Sequence, residues 1–216
     1  MTLHGSSRSR RAGHGPAPLV GDLGGTHARV AVVGTTGCRP HLEVLTCAEY
    51  PRIEDAIAAY LDKVGVGPVG EVCLAVAGPV DQDQVDLPNS HWTFSRCQLE
   101  RTLGAPLRVI NDFTAQALSL DMLREDELLW IGAPRSLGNA VRGVVGPGTG
   151  LGVAIQMPSG EVLPSEGGHV GFAPNGDHQM DLLRVLASRF RRVSVERLAS
   201  GPGLENLYLA TWTRSG

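Results

Sequence analysis

The sequence predicts an α/β protein built on a mixed sheet, and three observations carry that expectation. Residues 20–34 read as two strands around a glycine-rich turn, and residues 141–155 repeat that plan. Between them, Val72-Cys73-Leu74-Ala75-Val76-Ala77 is an unbroken apolar run of strand length, the pattern of a central strand covered on both faces. Helical periodicities separate the strands, so the order is hairpin, strand, helix, strand, helix, strand, helix. No GxGxxG follows a strand and opens a helix, so a dinucleotide-binding repeat is unsupported.

Residues 1–17 are rich in Ser, Arg, Gly and Pro, lack apolar residues able to join a core, and are expected to form a disordered leader. Arg8, Arg10 and Arg11 are not followed by a sustained apolar segment, so this is not the pattern of a signal peptide. The 216 residues are 42% hydrophobic with a net charge of −3, enough for one large or two small domains and no pointer to nucleic acid. No apolar run reaches the roughly 18 residues of a membrane span. Cys38, Cys47, Cys73 and Cys97 show neither CxxC pairing nor histidines at zinc-ligand spacing. Free, mostly buried thiols in a soluble cytoplasmic protein are expected.

The first glycine-rich stretch holds Gly21, Gly24 and Gly25, which remove side-chain bulk and permit the positive φ values of an anion cradle. Within it, Asp22 would repel a bare phosphate but would hold Mg²⁺, or its waters, against one. An ordinary glycine-rich hairpin has the same pattern. Residues 42–45 alternate weakly, as a third strand of the same sheet would. Pro51 opens a helix whose Ile53, Ile57, Tyr60, Leu61 and Val64 recur on one face, and Gly65 and Gly67 end it.

Residues 85–92 are polar and turn-rich and are expected to be a loop near a site. Ser95 then signs a helix N-cap, with Gln98 as capping-box partner and Phe94 placed to staple onto Leu99, and Gly104 closes that helix. Residues 106–110 form a short strand that delivers Asn111 and Asp112 at its carboxyl end, before a helix over 113–120. That is where α/β sheets place chemistry, although Asp112 also suits a helix N-cap. Two strand–glycine turn–strand units, one in each half, suit a duplicated fold that holds one phosphate chain. Two unrelated hairpins would look the same.

Five motifs occur in order: Gly21-Asp22-Leu23-Gly24-Gly25-Thr26, Ile110-Asn111-Asp112-Phe113, Gly148-Thr149-Gly150-Leu151-Gly152, Glu166-Gly167-Gly168-His169, and the segment from Glu196 through Ser200-Gly201-Pro202-Gly203 to Leu204. In this order they resemble the bacterial glucokinases of the hexokinase group, over about residues 19–212, as the first two-thirds of such a chain. The resemblance implies an actin-like, ribonuclease-H-like two-lobed hexokinase fold with its second lobe incomplete. Lobes are expected at 18–122 and 123–216. It also implies phosphorylation of the 6-hydroxyl of glucose by ATP with Mg²⁺, and leaves a homodimer open.

The resemblance assigns Asp112 as general base, with Asn111 beside it on a neighbouring hydroxyl, and Glu166, His169 and Glu196 on the remaining hydroxyls. The spacer Gly167-Gly168 is expected to be flexible and to let Glu166 and His169 turn inward together. Alone, His169 suits a structural histidine, and Glu196 a first-turn acid favoured by the helix dipole. Phosphate contacts fall to Gly21, Asp22, Leu23, Gly24, Gly25, Thr26, Gly148 and Thr149, with Asp22 also placing the metal.

Two departures stand out. His27 replaces the family's usual Asn, and the chain ends at Gly216 without the family's adenosine motif, so a truncated frame or a fragment is expected. Apolar faces over 141–145 and 182–190 would then lie uncovered. The related sugar-kinase and repressor family carries a cysteine-rich zinc motif, whereas residues 170–175 hold no cysteine. Chaperone or actin-type ATPases have no need of Asn-Asp followed by Glu-x-x-His. A catalytically inactive hexose-binding remnant, or a sugar kinase of different hexose specificity, remains the competing expectation.

Overall fold

The computed structural model describes residues 16–34, 41–87, 90–132 and 139–212, in two compact units that divide after Asp112. The lobe boundary expected at 122/123 lies further on, beyond the helix that follows Asp112. Residues 1–15 of the expected leader lie outside the described residues. Ala17 packs against the first core and accepts a hydrogen bond from the Gly70 amide at 3.1 Å, so the leader expectation does not hold at its last residues.

The first unit opens with β1 (Leu19–Leu23) and β2 (His27–Val32), an antiparallel hairpin, followed by β3 (His41–Thr46) on its outer edge. Helix α1 (Ile53–Val64) buries Ile53, Ala56, Ile57 and Tyr60, the face its periodicity predicts. Gly65 stops it in the left-handed conformation at φ 66°, which glycine adopts without steric cost. The Tyr60 hydroxyl accepts from the Val32 amide at 2.8 Å and donates to the His41 carbonyl, tying the helix to the sheet.

Strand β4 (Val72–Val76) pairs parallel with β1 and is buried along almost its whole length, as its unbroken apolar run requires. The polar loop expected over 85–92 is in part a hairpin, β5 (Gln84–Asp86) with β6 (Thr93–Ser95), and Pro88 and Asn89 lie outside the described residues. Val85, Leu87, Trp92 and Phe94 are all buried there, and the Trp92 indole donates to the Tyr50 carbonyl at 2.9 Å. Polar neighbours hid these four inward-facing side chains from a composition reading.

Helix α2 (Arg96–Leu103) is capped as predicted, with the Ser95 hydroxyl accepting from the Gln98 amide at 3.1 Å, and Gly104 ends it at φ 64°. Phe94 and Leu99 share one buried cluster. A second capping group was not foreseen. The Asp83 carboxylate accepts from the Ser95 hydroxyl at 2.6 Å and the Cys97 amide at 2.9 Å, and these bonds, the first above all, lower its pKa to about 2. Strand β7 (Leu107–Asn111) pairs parallel with β4, completing a five-stranded sheet in the order β3-β2-β1-β4-β7.

Helix α3 (Asp112–Ser119) begins one residue before its expected start. The second unit carries an antiparallel meander of β8 (Arg142–Pro147), β9 (Leu151–Gln156) and β10 (Val162–Ser165). Helices α4 (Asp177–Arg189) and α5 (Gly201–Trp212) follow, around a small cluster of Leu182, Leu186, Val193 and Ala210. The uncovered faces are thus half as expected: Val141 and Val145 are exposed, but Leu182 and Leu186 are buried.

Of the described cysteines, all unpaired in disulfides, Cys47 is buried, Cys73 half-buried and Cys97 exposed, so the expectation of mostly buried thiols is corrected; Cys38 lies outside the described residues. Burial pushes the Cys47 and Cys73 thiols up. Among the described residues no helix is long and apolar enough to cross a membrane.

Candidate functional site

In the first unit, three neighbouring strands end at one level. Leu23 on β1 pairs with Val76 on β4, and Val76 pairs with Asn111 on β7, so the Gly24-Gly25-Thr26 turn and the Asn111-Asp112 pair leave the same edge of the sheet. Asn111 and Asp112 are half-buried, and the Asn111 side-chain amide reaches the Gly78 carbonyl beyond β4 at 3.4 Å. The carboxyl ends of parallel strands form a natural ligand edge, because the chain there leaves the sheet and exposes backbone and side-chain polar groups.

The glycines of the first turn do not adopt the positive φ values expected of them: none of Gly21, Gly24 or Gly25 lies there. A Cβ on Gly21 would stand 2.8 Å from the Leu74 side chain, so this glycine lets β4 pack closely on β1. A Cβ on Gly24 would stand 3.1 Å from the His27 carbonyl, which also accepts from the Gly24 amide at 3.0 Å. Close approach, rather than a left-handed backbone, is what the sequence encodes here.

Asp22 is half-exposed and pairs across the hairpin with Arg29 at 3.1 Å. Among the described residues no group of three His, Cys, Asp or Glu could hold a metal. One exposed carboxylate fits Mg²⁺, which keeps several waters and takes the rest of its octahedron from substrate phosphates, but not a metal that needs a protein cage. Leu23 is buried, Thr26 is exposed, and the Thr26 carbonyl accepts from the Cys47 amide at 2.9 Å, fixing the far side of the turn.

In the second unit, Glu166, His169 and Glu196 converge. His169 Nε2 lies 3.7 Å from Glu166 Oε2, and His169 Nδ1 lies 3.8 Å from Glu196 Oε1. Both separations exceed a hydrogen bond, so the imidazole and the two carboxylates are not consumed by one another. They form a polar arc of acceptors and a donor suited to hydroxyl groups, which need both.

The spacer between Glu166 and His169 is closely packed, where the glycines were expected to provide flexibility. A Cβ on Gly168 would fall 2.0 Å from the Leu151 carbonyl, and one on Gly167 would fall 3.1 Å from Val153. The two glycines press a 3-10 turn (Gly167–His169) onto β9, and this packing aims His169. Arg192 adds a bond from its guanidinium to the His169 carbonyl at 2.6 Å.

The second glycine turn is likewise tightly built. The Gly148 amide donates to the Gly150 carbonyl at 2.8 Å, and the Gly148 carbonyl accepts from Gly201 at 2.8 Å, while Thr149 is exposed. Gly146 and Gly152 face each other across β8 and β9, and a Cβ on either would enter the Phe113 ring, at 2.6 and 1.8 Å. Phe113 and Arg192 are structural partners the sequence reading missed. The opposed glycines were a signal for the first, since a cross-strand glycine pair leaves a slot for an aromatic ring.

The glucokinase family model matches residues 19–216. A glucokinase of Chromohalobacter salexigens is 46% identical over 197 residues, covering 89% of this chain and 62% of that one. A crystal structure of a glucokinase from an Antarctic psychrotroph superposes with a TM-score of 0.82 at 33% identity, covering 93% of this chain and 66% of that one. A ROK family glucokinase from Streptomyces griseus, solved with glucose and AMPPNP, superposes with a TM-score of 0.53 at 25% identity, covering 87% and 58%. The chain spans about three fifths of the length of the curated glucokinases it matches. Its α/β architecture is the actin-like, two-lobed kinase fold expected from the resemblance. With five ordered motifs, a family match from Leu19 onward and this fold, the chain belongs to the glucokinase family.

Proposed function

We propose that this chain is the sugar- and phosphate-facing part of a cytoplasmic glucokinase that transfers a phosphoryl group from ATP to the 6-hydroxyl of D-glucose. The observation that carries the reading is the convergence of Glu166, His169 and Glu196, three polar side chains not consumed by one another, beside a glycine turn. A hexose is recognised mainly through its hydroxyls, and a site that pairs each of them rejects an epimer by leaving one buried partner unpaired. Asn111 and Asp112 take the remaining hydroxyls, with Asp112 accepting the proton of the hydroxyl that attacks the phosphorus. The glucose and AMPPNP bound by the Streptomyces relative support both ligands.

Such transfer depends on positioning and charge neutralisation, with little covalent chemistry from the protein. Residues 21–26 and Gly148 and Thr149 line the phosphates on this reading. Asp22 would hold Mg²⁺, which when bound neutralises phosphate charge. The alternative of an inactive hexose-binding remnant is not favoured by the family match.

Asp112→Asn tests the reading in a chain extended to the length of the curated relatives. Glucose affinity should stay within about threefold while turnover falls by about 10²–10⁴, the scale of a lost general base. Turnover within about threefold of the parent would remove Asp112 from the role of base.

A further inference from the structure

Glu196 does more than face His169. Its Oε2 accepts from the Leu151 amide at 2.9 Å, at the point where the glycine turn enters β9. A Cβ on Gly150 would stand 2.5 Å from the same oxygen, so any larger residue at 150 would displace the carboxylate from its present seat on the turn. The Glu196 backbone is held in turn: its carbonyl accepts from the Ser200 hydroxyl at 2.7 Å, and that hydroxyl accepts from the Gly203 amide at 3.0 Å in the first turn of α5. Two residues before that amide, Gly201 donates to the Gly148 carbonyl. The segment 196–201 therefore grips the turn 148–151 at both ends.

We propose that Glu196 is a positioning residue that couples sugar occupancy to the geometry of the phosphate turn. This rests on the glucokinase reading. One carboxylate presents Oε1 to the His169 side and Oε2 to the Leu151 amide, and the two oxygens rotate as one rigid group. A sugar hydroxyl donating to Oε1 fixes that rotation, which holds Oε2 on Leu151 and orders the turn. Coupling of this kind is reciprocal, so an ordered turn also favours the sugar. Gly150 becomes a residue on which sugar affinity depends, acting through Glu196.

Amide hydrogen exchange at Leu151 in the chain extended to the length of the curated relatives, with glucose affinity measured by calorimetry, tests the coupling. Saturating D-glucose should slow Leu151 exchange about tenfold or more. Glu196→Gln, whose side-chain oxygen still accepts from Leu151, should keep the sugar-free protection, and Glu196→Ala should lose it. Gly150→Ala, which pushes the carboxylate off the turn, should weaken glucose about tenfold. Leu151 exchange indifferent to glucose that calorimetry shows to be bound would overturn the coupling. So would an unchanged affinity in Gly150→Ala, or unchanged Leu151 exchange in sugar-free Glu196→Ala. No glucose binding by the parent would overturn the glucokinase reading itself, and the coupling with it.

Discussion

The two units reach stability by different routes. The first surrounds a five-stranded sheet with a continuous buried cluster that runs from Leu19 through α1 and β4 to Val109. In the second, the buried cluster is Leu182, Leu186, Val193 and Ala210, while Leu129, Ile131, Val145, Leu204, Tyr208 and Trp212 stay exposed. Its order comes instead from close contacts: glycine against backbone, Phe113 against two glycines, and Glu196 against Leu151. A unit with little buried apolar area must hold its functional groups by short-range geometry, so single atoms matter more there than area.

The largest effect should come from the first core. Leu74 is fully buried at the centre of β4, so Leu74→Ala should cost about 2–5 kcal/mol, from lost burial plus the cavity left behind. Leu186→Ala in the second unit, equally buried, should fall at about 2 kcal/mol because its small cluster can collapse. Urea unfolding measures both, and equal losses would erase the proposed contrast between the units.

Glycine substitutions sharpen the other side of the comparison. Gly168→Ala forces a Cβ against the Leu151 carbonyl backbone and should cost about 1–3 kcal/mol. Gly148→Ala meets nothing within 4 Å and should change stability by less than about 0.5 kcal/mol. Were the two variants to melt together, close packing would not be what holds the turn at 167–169.

Removing sugar partners should act on binding rather than folding. Glu166→Gln and His169→Ala should each weaken glucose by about 1–3 kcal/mol, the cost of leaving a buried hydroxyl imperfectly paired. Both side chains are exposed without sugar, so thermal unfolding of the sugar-free chain should hardly move. Unchanged calorimetric affinity in both variants would return them to a structural role.

The smallest effect concerns Asp83. Its folded pKa of about 2 lies below the ordinary 3.8, so its contribution is fully present above about pH 3.8 and is lost as pH falls towards 2. Asp83→Asn should flatten that part of the stability profile, and denaturation midpoints between pH 2 and 5 measure it. An identical acid profile in the variant would mean that solvent screens the cap completely.

The sequence by itself determined the elements whose causes are local. Ile53, Ile57 and Tyr60 recur at helical spacing, Ser95 sits at a helix start with Gln98 three residues on, and Val72 to Val76 offer no polar face; each produced the element it predicted. The hairpin over 84–95 escaped that reading because its alternation is interrupted by polar turn residues. The position of Asn111 and Asp112 at the end of β7 was legible because a strand end is a local feature. The tertiary structure alone decided that Glu196 lies beside His169 and that Gly167-Gly168 pack against β9. Those outcomes depend on which group lies opposite a missing Cβ, the Leu151 carbonyl in one case and the Glu196 carboxylate in another. A glycine looks the same in sequence whether it provides φ freedom or simply leaves room, and only the packed neighbour tells the two apart.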